Sequence, residues 1–152
     1  MEKEIILFVD PSRGSESAAA LAADLAVHFE ASLKVYYLID SNWGGLLGDE
    51  WINTAETRMR FYEWFERELK ATAAATLEKV KKIAEKRGVP VVTQILTGPV
   101  EKIIAGKAGE SPGAWVVLPN PRAAAPAAAG GLRYNIGRLI KKLNGPVVIG
   151  PK

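Results

Sequence analysis

The sequence contains no cysteine. Disulfides, thiolate nucleophiles and thiolate metal sites are therefore excluded. Histidine is almost missing too: His28 stands alone among 152 residues. One imidazole rules out a multi-histidine metal centre and weighs against a Ser–His hydrolase. A strong charge of one sign is also lacking, since 20 Lys and Arg against 17 Asp and Glu leave a net charge of +3. The basic residues alternate with acids, apart from Lys79, Lys81, Lys82, Lys86 and Arg87. Those five crowd the end of an expected helix, where cations suit the negative pole of the helix dipole. A solvated helix end is therefore preferred to a nucleic-acid face. No apolar run approaches the ~20 residues of a membrane span. The first run, residues 5–9, is too short for a signal peptide, and no cleavage region follows it. The expectation is a cytoplasmic protein with neither a membrane nor a nucleic-acid partner.

What is present is ordinary for a globular domain: 48% hydrophobic and 24% charged residues. A chain of this length fits one domain, 1–152, with enough core to need no disulfide or metal. Residues 4–9 form an apolar run with β-branched members, the pattern of a strand buried on both faces. Asp10-Pro11-Ser12-Arg13-Gly14 breaks it, and Ser15-Glu16 opens a helix that runs through Phe29. Residues 33–39 form the second strand. After the Gly-rich stretch 41–49, Asn53 and Glu56 have capping-box spacing. Helical pattern then runs from about 54 to 87, roughly 50 Å at 1.5 Å per residue. A bend or break is expected near 71–76. Gly88 and Pro90 stop the helix.

Residues 91–96 read as a third strand. Gly98-Pro99 opens another helix, with Pro at its first position. Residues 114–118 are a fourth strand, and 119–131 a loop rich in Pro, Ala and Gly. Residues 134–143 are a short helix, and Val147-Val148-Ile149 is the last strand. Strands alternating with helices imply a parallel sheet covered on both faces, an α/β fold of the doubly wound kind. Such sheets bind ligands where strand order reverses, at the carboxyl ends of the strands. With the first strand central, the loops at that point are 10–14 and 119–133. The first carries a carboxylate at the strand tip. The second carries Arg122 and Arg133 and leads to a helix amino terminus able to hold an anion.

Five segments, in order, resemble the universal stress protein family. They are IILFVDPSRGS at 5–15, YYLID at 36–40, LTGPVEKII at 96–104, AWVVLPN at 114–120 and GPVVIG at 145–150. The resemblance implies a three-layer α/β/α fold of the adenine-nucleotide α-hydrolase type, with a five-stranded parallel sheet in the order 3-2-1-4-5. It also implies a homodimer, formed through the last strand, Val147, Val148 and Ile149. Many members bind ATP through a glycine signature after strand 4, in which glycines let backbone amides approach phosphates. Here that signature is degenerate. Pro119 stands where its first glycine belongs, Arg122 stands at the second, and Gly130-Gly131 come slightly early. Proline also removes an amide donor.

The nucleotide-contacting positions implied are Asp10, Pro11, Ser12 and Ile39 on one side of the crevice. On the other they are Pro119, Asn120, Arg122, Gly130, Gly131, Arg133 and Tyr134. Two readings of the second loop stand side by side. Arginines replace amide donors in a remodelled anion site, or phosphate binding has been lost. Loss is preferred, because side chains on an Ala-rich loop must be ordered at an entropic cost. Asp10 is equally a turn cap, and His28 reads as a surface residue.

Trp43, Trp51, Phe61, Tyr62, Trp64 and Phe65 crowd into 23 residues, in an aromatic-rich insertion or extended helix at about 41–70. Met59, Tyr62, Leu69, Leu77, Val80 and Ile83 make one core-facing stripe. Phe61, Trp64 and Phe65 exceed it, which points either to a partner surface or to packing beneath the 44–48 glycines. Three functions follow. The first is a stress-response or regulatory module that binds rather than catalyses, with adenine-nucleotide binding weakened or lost. The second is an ATP-binding or ATP-hydrolysing relative using Asp10, Arg122 and Arg133, with Mg²⁺ if phosphates are held. The third is a scaffold for a protein client through the aromatic helix. No nucleophile–base pair is legible.

Overall fold

The computed structural model describes residues 3–41, 55–123 and 131–151. Its strands are β1 (Glu4–Val9), β2 (Ser32–Asp40), β3 (Val91–Gly98), β4 (Trp115–Leu118) and β5 (Val147–Ile149). They form one sheet in the order β3-β2-β1-β4-β5, with every pairing parallel. The described helices are α1 (Arg13–Phe29), α2 (Ala55–Lys86), α3 (Val100–Glu110) and α4 (Ile136–Ile140). None of them is long and apolar enough to cross a membrane.

The two-residue period of β1 divides the core. Ile5, Leu7 and Val9 join α1 and α2 on one face of the sheet. Ile6 and Phe8 join α3 and α4 on the other. All five are buried, and each side chain of this size contributes about 1.5–3 kcal/mol. The layers are therefore α/β/α, and the apolar run at 4–9 is explained by burial on both sides. On α1, Ala18, Ala19, Ala22, Ala23 and Ala26 are buried, so the helix lies close to the sheet. It also approaches the end of β5: a Cβ on Gly150 would lie 2.9 Å from Ala18 Cβ.

Several boundaries differ from the sequence reading, each for a local reason. Helix α1 begins at Arg13, before the expected Ser15, because the Ser15 hydroxyl is engaged by Asp10. Pro99 is the N-cap of α3 and not its first helical residue; its ψ of 122° is extended. Helix α2 runs unbroken through 71–76 for 32 residues, since alanines are the strongest helix formers. It meets the core from Phe65 onward, through Leu69, Ala73, Leu77, Val80 and Ala84. Met59, expected in that stripe, is 62% exposed, because it lies in the turns before the first core contact at Phe65. Gly88, at φ +69°, follows the helix end as its stop. The basic cluster there is partly paired: Arg87 Nε donates to Asp24 at 2.7 Å, and Lys79 lies 3.7 Å from Glu16. Trp43, the 44–48 glycines, Trp51 and Asn53 lie outside the described residues.

Candidate functional site

All five strands point their carboxyl ends to one edge of the sheet. Helix α1 leaves β1 toward one face, and the chain after β4 leads to α4 on the other. This junction is where open parallel sheets form their ligand crevice, and Asp10 lies there, fully buried. Its Oδ1 accepts from Ser12 N at 2.9 Å, from the Ser12 hydroxyl, and from the Ser15 hydroxyl at 2.8 Å. Its Oδ2 accepts from Leu132 N at 3.1 Å. The Asp10 amide in turn donates to Ser15 Oγ at 2.7 Å. Three donors of the chain itself crowd Oδ1 and one meets Oδ2, which keeps a second acceptor position. Asp10 thus clasps the tip of β1, the start of α1 and the returning 131–132 segment.

The opposite wall is also tied internally. The Tyr134 hydroxyl donates to the Pro119 carbonyl at 3.0 Å, fixing the end of β4 to the approach to α4. Asn120 Oδ1 accepts from Arg122 N at 2.9 Å, inside a 3₁₀ turn at Pro121–Ala123. Asn135 Oδ1 caps α4 by accepting from Arg138 N at 2.9 Å. The helix terminus expected to hold an anion is thus short and partly capped by the chain itself. The helix has only five residues, and its own cap uses one of the free amides. Arg138 also donates to Glu101 at 2.7 Å, which holds the Glu101 carboxyl below its ordinary range.

Two tyrosines complete the surroundings. Burial, and next the Asp10 charge, push the Tyr134 hydroxyl up to about 12. The same causes, in the same order, raise Tyr37 further. Tyr37 is buried, and its hydroxyl has no hydrogen-bond partner among the described residues. An unpaired buried hydroxyl is a desolvation cost. Tyr37→Phe is therefore expected to stabilise the fold by about 1 kcal/mol, read as a higher urea midpoint at unchanged slope.

Of the sequence-derived positions, the fold brings Asp10, Ser12, Pro119, Asn120 and Tyr134 to the strand tips with Gly131. Pro11 is half-buried between Asp10 and Ser12. Ile39 is buried in the α1–α2 core. Arg122 and Arg133 are exposed, and Gly130 lies outside the described residues. Sequence reading missed Leu132 and Tyr37 and gave Ser15 only a helix-initiating role. Ser15 was reachable, as a hydroxyl five residues beyond an aspartate across a tight turn. Leu132 was not, because its bond to Asp10 spans 122 positions.

At the level of sequence, no family model and no curated protein matches the chain. Solved structures do. The universal stress protein UspA from Lactobacillus plantarum superposes with a TM-score of 0.70 at 17% identity, covering 98% of this chain and 97% of that one. The fold is that of the universal stress proteins. A universal stress protein from Archaeoglobus fulgidus in complex with dAMP matches at TM-score 0.60 and 18% identity, covering 99% and 98% of the two chains. A universal stress protein in complex with cAMP matches at 0.65 and 15%, covering 97% and 95%.

The expected interface residues separate into two places. On α2, the Phe61 ring lies 5.9 Å from Phe65 and 5.8 Å from Trp64. Phe65 packs against the α1–α2 core, whereas Trp64 is 49% exposed. On β5, Val147 and Val148 face the two cores, and Ile149 is exposed at the sheet edge.

Proposed function

We propose that the chain is a universal stress protein-like module that acts by binding, with adenine-nucleotide affinity weakened or lost. The ligand class rests on the fold and on the dAMP and cAMP complexes of two proteins that share it. The weakening rests on one observation: the Asp10 carboxylate is fully buried, with Oδ1 engaged by Ser12 and Ser15 and Oδ2 covered by the Leu132 amide. A nucleoside can reach Asp10 only by moving the 131–132 segment that covers it, and the Leu132 bond resisting that move, a buried bond to a charged group, is among the stronger kind.

The phosphate side fits no better among the described residues. Pro119 has no amide to donate, and the Arg122 amide is engaged by Asn120. The Arg122 and Arg133 side chains are exposed, so binding through them would have to order long flexible groups. Catalysis finds little support either. His28 lies in the last turn of α1, at the other end of the helix from Asp10.

Calorimetric titration with ATP, ADP and AMP, with and without Mg²⁺, tests this reading. The expected result is no saturable heat until nucleotide approaches roughly millimolar concentration. Saturable binding at roughly micromolar concentration, weakened by Arg133→Ala, would overturn it in favour of an ATP-binding relative. Mg²⁺-dependent turnover abolished by Asp10→Asn would make that relative an enzyme.

The exposure of Met59 and Trp64, before the first core contact of α2, favours a second role, contact with a protein client or another copy. Gel filtration that found Trp64→Glu unchanged in oligomeric state would count against the self-association form of this role. The homodimer itself follows from the resemblance, which puts the contact at Val147, Val148 and Ile149.

A further inference from the structure

Asparagine is a chemically labile residue. The backbone nitrogen of the next residue can attack its side-chain carbonyl and close a five-membered ring, provided that nitrogen is bare enough to approach. Five asparagines occur in the chain, and Asn144 alone is followed by glycine. Asn120 precedes Pro121, which has no N–H to lose, and its Oδ1 accepts from the Arg122 amide. Asn135 precedes Ile136, a β-branched residue that crowds its own amide, and its Oδ1 caps α4. Asn42 and Asn53 precede Trp43 and Thr54 and lie outside the described residues. Asn144 sits between α4 and β5, in neither helix nor strand, and is exposed. Among the described residues, neither its side chain nor the Gly145 amide makes a hydrogen bond.

Packing fixes the glycine half of this pair. A Cβ at 145 would lie 2.7 Å from the Ala114 carbonyl oxygen, so a side chain there would push away the approach to β4. The residues on either side are anchored. Leu143 and Val147 both pack against the α3–α4 core. Strand β5 is held on β4 by the bond from Val116 N to Pro146 O, at 3.0 Å, and by the bond from Gly150 N to Leu118 O, at 2.8 Å. An extra backbone atom at 144 must therefore be taken up between two fixed points. The first bond beyond it is the one that Pro146 makes to β4.

We propose that Asn144 is a self-modifying site, whose one-way conversion to isoaspartate loosens β5 from β4 as the protein ages. The Gly145 nitrogen, after losing its proton to solvent base, bonds to Asn144 Cγ. The Cγ–Nδ2 bond breaks, and Nδ2 takes a proton from water and leaves as ammonia. Water then opens the cyclic imide. Opening at Cγ gives aspartate on an ordinary backbone. Opening at the main-chain carbonyl routes the backbone through Cβ and Cγ, one carbon longer. The purified chain, held at mildly alkaline pH and mapped by peptide mass with protein isoaspartyl methyltransferase as the probe, is expected to gain isoaspartate at 144 and none at Asn120 or Asn135. Asn144→Gln should abolish the gain, because the ring would need a sixth member. In the converted fraction, the Val116 and Gly150 amides should lose hydrogen-exchange protection. Freshly prepared Asn144→Asp, which adds the charge without the extra carbon, should keep it. A folded chain that stayed unmodified at 144, under conditions that convert it in guanidinium chloride, would overturn the site. Isoaspartate formed with protection intact at Val116 and Gly150 would overturn the coupling to β5. Equal loss in Asn144→Asp would overturn the lengthened backbone as its cause.

Discussion

Asp10→Ala is expected to destabilise the fold by about 3 kcal/mol, an effect large for a residue at the end of a strand. The side chain is buried and receives the Ser12 and Leu132 amides and the Ser12 and Ser15 hydroxyls. Hydrogen bonds to a charged group contribute about 1.5–3 kcal/mol each, and a buried donor left unpaired costs about 1–3 kcal/mol. The sum is not reached, because the hydroxyls can rotate to new acceptors and water can enter the space left behind. Asp10→Asn separates the parts of the clasp. Its amide oxygen can keep the three bonds now made to Oδ1. Its NH₂ group then faces the Leu132 amide, donor against donor. About half the alanine effect is expected, concentrated in the 131–135 segment. Urea unfolding measures the total, and amide hydrogen exchange at Leu132 measures the local part. If Asp10→Ala unfolded within about 0.5 kcal/mol of the parent, the range of an ordinary surface change, the clasp would have no structural weight. The weakening of nucleotide affinity would then lose its physical basis.

The contrast between what sequence shows and what it hides follows from range. The strands were legible because burial on both faces writes a continuous apolar run, as at 4–9, and parallel connection follows from the helices between them. The order 3-2-1-4-5 came from resemblance and agrees with the sheet. Helix ends were less legible because they are decided by side chains folding back. Ser15 has the composition of a cap, yet its hydroxyl is turned to Asp10 and the helix starts earlier. Met59 continues an apolar period, but it lies before the helix first meets the core that would bury it. At the site, Asp10 could be picked out as a carboxylate at a strand tip. Its occupation by Leu132 could not, since no local pattern encodes a contact between the two ends of the chain. The Tyr37 hydroxyl is hidden in the same way: tyrosine is a good strand former, and only the packed core shows that nothing among the described residues answers its OH.

Leu139→Ala carries the second large expected effect, a loss of about 3 kcal/mol, within the usual range for a buried leucine cut to alanine. Helix α4 has five residues, too few to persist on helical propensity alone. Leu139, fully buried, anchors it in the core shared by Phe8, Leu118 and Leu132, with Tyr134, Ile136 and Leu143 packed around it. The Asn135 cap and the Leu139 amide bond to the Asn135 carbonyl, at 2.9 Å, depend on the helix staying docked. Loss of the anchor should therefore propagate backward to the crevice. The Tyr134–Pro119 bond and the Leu132–Asp10 bond lie at the entrance to α4, and exchange protection across 132–139 should fall together. Ile140 supplies the control. It sits in the same helix, is 50% exposed, and on truncation to alanine should change stability by no more than about 0.5 kcal/mol. A comparable loss at both positions would mean that the helix itself, and not its one buried side chain, holds the wall of the crevice. A loss confined to Leu139→Ala, with protection at Leu132 reduced, would place the anchor and the clasp in one cooperative unit.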